Sequence, residues 1–322
     1  MRTEEEKAQT RFLIVICIIA LLGVAALSVY SYTVTTSLSQ QNTSLSREVS
    51  DLNSNLSSLE NALEEREVQA GLNYLASNYN PHVGLISESP HSDVYWLYSD
   101  NFLAALAINS TRLSNSTLTA IGDNISKTLA RYPPMQQTLC TVLCVGNATN
   151  QYVLLSTYWK GSCYLKSAED YTAGHFGDIE VMATLNNGSG TLSETRYADI
   201  AFLQAVCNLR QGNVTGWSQG FGDGLGFYNG VGFNDTPFQE GSSKGIYQTY
   251  KLTLFIYAME SQCGPFNQTA YQSALTTLLQ MQAPDGGFHT GYNPDLSING
   301  TTNTETTSLA ILAMSTVTYC FS

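Results

Sequence analysis

Apolar positions along this chain change their spacing as the sequence proceeds. Phe12 to Tyr30 runs for 19 residues without a charge, which at about 1.5 Å per residue approaches the hydrocarbon thickness of a bilayer. Then Leu45, Val49, Leu52, Leu56, Leu59 and Leu63 follow one another at spacings of 4, 3, 4, 3 and 4, with Leu38 one heptad before them. This is the a/d seam of a coiled coil; the alternative is one amphipathic helix lying on its own domain. From about Glu67 the pattern predicts helices over 67–79, 97–109, 114–131, 171–186, 195–210, 247–261, 268–282 and 303–319, separated by polar loops. Tyr152 to Leu165, YVLLSTYWKGSCYL, is rich in β-branched and aromatic residues and predicts a short hairpin. The glycine-dense stretch 216–245 predicts a long loop, either a lid or a passive wrapping.

Four of the predicted helices share a design. Asp100, Asp199, Lys251 and Glu305 each open a segment that is then apolar on nearly every side, as a helix buried all round must be. Their starts are spaced at about 50 residues or its double, which suits a repeating helical hairpin. The expected fold class is therefore all-α: an incomplete α/α toroid of helical hairpins with a small β-hairpin insertion, preceded by a transmembrane helix and a coiled-coil stalk.

Charge then orients the chain. Arg2, Lys7 and Arg11 precede the apolar run and the next basic residue is Arg47, so the positive-inside rule gives a cytoplasmic tail over 1–11, a signal anchor over 12–34, a stalk over 35–66 and an extracytoplasmic domain over 67–322. The alternative is a cleaved signal peptide cut near Ala26. With 26 Asp+Glu against 14 Lys+Arg and a net charge of -12, the chain lacks the basic surface that nucleic acid requires. Charged residues make up only 12% of it; Ser, Thr, Asn, Gln and Tyr supply its polarity, as on an exported glycoprotein. Asn-x-Ser/Thr sequons agree, at Asn109, Asn115, Asn124, Asn147, Asn187, Asn213, Asn267 and Asn299, with further ones at Asn42, Asn55 and Asn234. Six cysteines follow the span: Cys140, Cys144, Cys163, Cys207, Cys263 and Cys320. On the outside they are expected as disulfides, in any of the 15 pairings that six cysteines allow.

One motif carries a resemblance. ALTTLLQMQAPDGGF, Ala274 to Phe288, resembles the helix–Gln–x–x–Asp–Gly–Gly–aromatic repeat of the terpenoid cyclase and protein prenyltransferase α/α toroids. The match is strong over about 45 residues and a pattern elsewhere. It implies a Gln282 side chain that satisfies backbone groups at a helix end, a tight glycine turn, and an aromatic ring packed into the next hairpin. The Asp-x-Asp-Asp donor of the cyclases, the zinc set of the prenyltransferases and the thioester motif of complement-like proteins are not in the sequence. The general layout is similar to six-hairpin glycosidases and polysaccharide lyases.

That likeness, with the residue types at the helix starts, points to glycan chemistry. Two carboxyls share acid and base roles in sugar cleavage, while aromatic rings stack on pyranose faces. The expected catalytic pair is Asp100 and Glu305, with Asp285 and Asp199 as substitutes; Trp96, Tyr95, Tyr250, Lys251, His289 and Tyr292 are the expected substrate contacts. A lyase would use Tyr250 or His289 as base with Lys251 neutralising a uronate. The plain alternative is that each acidic residue favours its own helix N-terminus and that the domain is a non-catalytic surface module binding glycans or proteins. No metal site is expected: His175, Asp178 and Glu180 form a weak set, predicted on one helix, and no cofactor is predicted beyond Ca²⁺ at Asp223, Asn229, Asn234 and Asp235, whose spacing is not that of an EF-hand. Expected partners are the membrane, a second copy through residues 38–66, and a glycan.

Overall fold

The structure is a computed structural model that describes residues 4–90, 96, 98–130, 138–140, 147–149, 159–160, 164–165, 169–176, 179–185, 196–241, 243–262 and 267–320. It divides into two compact units, Met1–Ala62 and Leu63–Ser322. The described part of the first is helical throughout: helix α1 runs from Glu4 to Ser77, so the predicted span, the heptad segment and the first domain helix are one continuous helix. Within Ala20–Leu52 an 18-residue stretch is apolar enough, by length and composition, to cross a membrane.

Among its described residues the second unit is mostly helical. The last turns of α1 bury Val68, Leu72 and Leu75, an i, i+4, i+7 stripe. Strands β1 (Tyr79–Asn80) and β2 (Leu85–Ile86) pair antiparallel and lead to α2 (Tyr98–Ser110) and α3 (Ser116–Leu129). Six short strands then follow: β3 (Thr138–Cys140), β4 (Asn147–Thr149), β5 (Trp159–Lys160), β6 (Tyr164–Leu165), β7 (Glu169–Phe176) and β8 (Ile179–Leu185). The first four form a sheet in the order β4-β3-β5-β6, and β7 pairs with β8. After them come α4 (Ala198–Arg210), α5 (Val214–Leu225), the single turn α6 (Thr236–Gln239), β9 (Tyr247–Gln248), α7 (Thr249–Glu260), α8 (Gln268–Gln280), β10 (Phe288–His289), β11 (Gly291–Tyr292), β12 (Thr302–Asn303) and α9 (Thr304–Cys320).

Burial sorts the helices into two kinds. In α2, α4, α7 and α9 the apolar residues are buried on nearly every side; α7, for example, buries every residue from Leu252 to Met259. In α3 and α8 only one stripe is buried, Leu118, Ile121, Ile125 and Leu129 in the former and Ala270, Tyr271, Ala274, Leu275 and Leu278 in the latter. The enclosed helices lie side by side, α2 against α9, α9 against α7, and α7 against α4. The striped ones back them, α3 on α2, α5 on α4 and α8 on α7. Connections of a few residues make each of those pairs a helical hairpin.

Two stretches differ from expectation. The described residues of the predicted helix 171–186 are strands: β7 and β8 are antiparallel, and Phe176 pairs with Ile179. Ile179, Val181, Ala183 and Leu185 alternate with Glu180, Met182 and Thr184, a period-2 pattern that suits a strand. The β insertion is accordingly larger than one hairpin. Nor is 216–245 a structureless lid, because α5 occupies its first part. Gly216, Gly220 and Gly224 recur every four residues and so share the helix face turned toward α4. A Cβ at Gly220 would sit 3.1 Å from the Ala201 carbonyl oxygen, and one at Gly224 2.5 Å from the Phe202 ring. These glycines let two helices approach closely, and the aromatic residues between them fill the core. Trp217 stacks on Phe221 at 5.0 Å, its indole N–H donates to the Ala258 carbonyl at 3.2 Å, and Phe202 and Phe255 meet at 5.5 Å.

The Gln282 motif joins α8 to α9. The Gln282 amide donates to the Glu67 carbonyl at 2.8 Å and to the Gly286 carbonyl at 3.0 Å. Gly286 has φ +91° and its α-carbon faces the Ala70 carbonyl, leaving no room for a Cβ. Asp285 closes the turn by accepting the Gly287 N–H at 3.0 Å, and Phe288 is fully buried with its N–H on the Thr307 hydroxyl.

Candidate functional site

The starts of the four enclosed helices meet at one end of the unit. Tyr250, in the first turn of α7, donates its hydroxyl to Asp199 Oδ2 in the first turn of α4 at 2.9 Å. Segment 86–88 ties down the other two. The Asn101 side chain in α2 bridges the N–H and C=O of Ile86 at 2.7 and 2.9 Å, and Thr304 at the start of α9 bonds the Ser87 carbonyl through its hydroxyl and the Glu88 carbonyl through its N–H.

The N-cap roles of α9 and α4 fall to residues other than Glu305 and Asp199. In α9 the cap is Asn303, two positions before Glu305, whose side chain accepts the Thr306 N–H at 2.9 Å. In α4 the N-terminal acceptor comes from far along the chain: Asp235 Oδ2 takes the Ala198 N–H at 3.0 Å. The same oxygen accepts Lys251 Nζ at 2.6 Å, and both side chains of this ion pair are essentially dry, 2% and 0% exposed.

Glu305 is half-buried, and no side-chain hydrogen bond restrains it among the described residues. Burial, and then the charges of Glu88 and Asp199, push its carboxyl up to about 7. Burial also raises Asp199, against the opposing pull of the Lys251 charge and the Tyr250 hydrogen bond. Glu88 is raised by burial, and Tyr250 is raised by burial and by the Asp199 carboxylate. Three carboxyls and a phenol thus share one low-dielectric region in which protons are held more tightly than in water.

Beside this cluster lies a cavity of about 590 Å³ lined by Tyr74, Asn78, Asn80, Ser87, Trp96 and Asp285 among others. Ser87 links it to the start of α9 through the Thr304 hydroxyl. Tyr74 is pushed up to about 12 by its burial, with Thr302 opposing and the charges of Asp285 and Asp100 adding to the rise.

The expected site residues therefore separate. Asp199, Tyr250 and Glu305 come together. Asp100, 1% exposed, acts on Tyr74 together with Asp285, while the charged neighbours of Glu305 are Glu88 and Asp199. Trp96 and Asp285 line the cavity; Tyr95 lies outside the described residues. Two expected substrate contacts are structural instead. Lys251 is sealed in its ion pair, and Tyr292, fully buried, donates to the Val231 carbonyl at 2.8 Å. His289 bonds the Gly300 carbonyl through Nδ1 at 3.0 Å. Asp235, one of the suggested Ca²⁺ ligands, is committed to Lys251 and Ala198, and the described residues contain no cluster of three or more metal-holding His, Cys, Asp or Glu side chains. His175 and Glu180 face each other across strands β7 and β8 in register, not along a helix; Asp178 lies outside the described residues. Glu88 and the capping use of Asp235 had no local sequence signal, since both come from irregular segments.

Cys207 is buried in α4 and disulfide-bonded. The side chains of the other five predicted disulfide cysteines lie outside the described residues. The sequon asparagines Asn115, Asn213 and Asn267 are exposed, and each accepts backbone N–H groups as the N-cap of α3, α5 or α8. Asn109 and Asn124 are exposed and Asn299 is half-exposed; nothing is described around Asn147 beyond its place in β4, and Asn187 lies outside the described residues. No protein-family model, curated protein or solved structure matches this chain.

Proposed function

We propose that this protein is a membrane-anchored, extracellular glycoprotein whose α/α-toroid domain is a carbohydrate-active enzyme, a glycan hydrolase. The observation that carries the reading is Glu305: a partly buried carboxyl in the first turn of α9, where Asn303 is the cap, raised to about 7 by burial beside two further acidic groups. A glycosidic acid must be protonated near neutral pH and reachable by the leaving oxygen. Glu305 is then the proton donor. Asp199, oriented by Tyr250, or the partly buried Glu88 takes the base or nucleophile part. Trp96 offers a ring for a sugar face in the adjoining cavity, and Asn78, Asn80 and Asp285 offer hydrogen bonds. A lyase is less well supported because Lys251, the expected uronate partner, is consumed by Asp235.

The sequon positions agree with this arrangement. Asn115, Asn213 and Asn267 open helices that follow α2, α4 and α7, so they lie at the end from which the enclosed helices exit. Glycans on these three would leave the acidic end open, whereas the sequons at Asn234 and Asn299 lie next to the segments that reach the starts of α4 and α9. The apolar part of α1 serves as the anchor, with the N-terminus cytoplasmic, the cysteines form extracellular disulfides, and residues 38–66 join copies of the chain.

A turnover screen of the purified chain against a panel of neutral and acidic glycans tests the enzyme reading. Hydrolysis by the wild type, lost in Glu305→Gln and in either Asp199→Asn or Glu88→Gln, is expected. Binding without turnover across the panel would instead select the non-catalytic surface module, a reading favoured by the purely structural use of Lys251 and Tyr292.

A further inference from the structure

The exposed seam of α1 carries more information than a heptad count. With Val49 at an a position, Leu56 is also a, Leu38, Leu45, Leu52 and Leu59 are all d, and the a position one heptad before Val49 is Asn42. Leu38, Leu45, Val49 and Leu52 are 59%, 59%, 55% and 66% exposed in the single chain, and Asn42 is exposed in the same helix. Leucine at every d with a single polar a position is the pattern of a two-stranded coil whose register the polar residue fixes. The flanking positions permit parallel, in-register pairing: Gln41 meets Ser46 of a second copy, Glu48 meets Asn53, and Asn55 meets Glu60, so no like charges face each other. Chains anchored through the same N-terminal span also enter the pair from the same side, which makes the parallel arrangement the accessible one.

Asn42 begins the sequon Asn42-Thr43-Ser44. At an a position its side chain points into the seam, and two such amides hydrogen-bond across it. A glycan on the same nitrogen replaces one of its two N–H groups and places a bulky polar group where the helices must touch. We infer that residues 38–59 pair with a second copy of this chain as a parallel dimer in which Asn42 sets register and chain number, and that glycosylation of Asn42 and dimerisation exclude each other. This rests on the anchored-stalk part of the proposed function and is independent of the acidic cluster.

The full chain, produced in a glycosylating host with Cys17→Ser and reconstituted in lipid nanodiscs, tests it. Light scattering is expected to give two chains per particle. An added Leu52→Cys, at d, should oxidise to a covalent dimer at least about 10-fold faster than Ser54→Cys, at f on the outer face. Peptide mass mapping of the cross-linked dimer should find Asn42 unmodified, and Asn42→Val should shift the particles from dimers alone toward a mixture with larger assemblies. Single chains, or three or four per particle, would overturn the dimer, as would equal cross-linking at both cysteines. A glycan on Asn42 in the cross-linked species would overturn the exclusion, and an unchanged dimer in Asn42→Val would overturn its role in setting chain number. A chain that fails to enter membranes sinks the anchored-stalk reading, whereas an inserted single chain sinks only the pairing.

Discussion

Lys251→Met isolates the contribution of the dry ion pair. In the native protein Asp235 is 0% exposed and its Oδ2 holds both Lys251 Nζ and the Ala198 N–H. Methionine fills much of the lysine volume and keeps its apolar stem, so the packing change is small and the main loss is the ammonium. What remains is a buried carboxylate supported by one backbone N–H. Removing one partner of a buried pair costs about 3–5 kcal/mol, because the other charge stays desolvated. For a unit of this size each kcal/mol moves Tm by roughly 2–4 °C, giving a drop of roughly 6–20 °C. Scanning calorimetry of the full chain in detergent reads it. The double variant Lys251→Met/Asp235→Asn removes the second charge while its amide oxygen still accepts the Ala198 N–H, and should recover most of the loss, to within about 1–2 kcal/mol of wild type. If Lys251→Met costs less than about 1 kcal/mol, the range of an exposed pair, the reasoning from a water-free pair is wrong.

Glu305 makes the second unit pH-sensitive. Its folded value, about 7, lies above the ordinary carboxylate range, so its contribution to stability is fully present below about pH 4.5 and is lost as pH rises through about 7. Glu305→Gln should flatten that decline in urea titrations between pH 4.5 and 8, and hydrolytic turnover of the wild type should fall through the same range as the acid deprotonates, with the variant reduced about 10²–10⁴-fold. Gly224→Ala, whose Cβ would meet the Phe202 ring at 2.5 Å, should cost about 1–3 kcal/mol, whereas Gly222→Ala, with nothing within 4 Å, should stabilise α5 by about 0.5–1 kcal/mol in thermal melts. Gln282→Ala leaves the Glu67 and Gly286 carbonyls without the amide that joins them and should cost about 1–3 kcal/mol, with amide exchange accelerated in the last turns of α1.

Helices whose burial follows from their own composition were legible. The starts of α2, α4, α7 and α9 fall within a few residues of the predicted ones, because an all-apolar helix opened by a polar residue has few other ways to fold. The helix α5 was missed because its glycines read as loop residues by propensity, although their four-residue spacing recorded the close approach to α4. Strand β8 was misread for a similar reason: its seven residues alternate, but the predicted helix drew them into a longer window. At the site, Asp199, Tyr250 and Glu305 were each marked by their place at a helix start. Their neighbours were not. Glu88 lies in an irregular segment without periodicity, and the Asp235 hydrogen bond to Ala198 crosses 37 residues of sequence; local spacing encodes neither meeting. The Lys251 chemistry was misassigned because sequence shows a cation and not the carboxylate already holding it.

The Gln282 joint also sets an order of events for synthesis. Its amide holds the Glu67 carbonyl across 215 residues, and Thr304 reaches back 217 residues to Ser87. The last turns of α1 leave the ribosome more than 200 residues before the groups that seat them are made. At ordinary elongation rates of about 5–20 residues per second the interval is roughly 10–40 s. Through that time Val68, Leu72, Tyr74 and Leu75 have no native cover from α9 or from the glycine turn. A nascent chain stopped before Gln282 keeps that apolar stripe open to chaperones, and completion of α9 is the step that covers it.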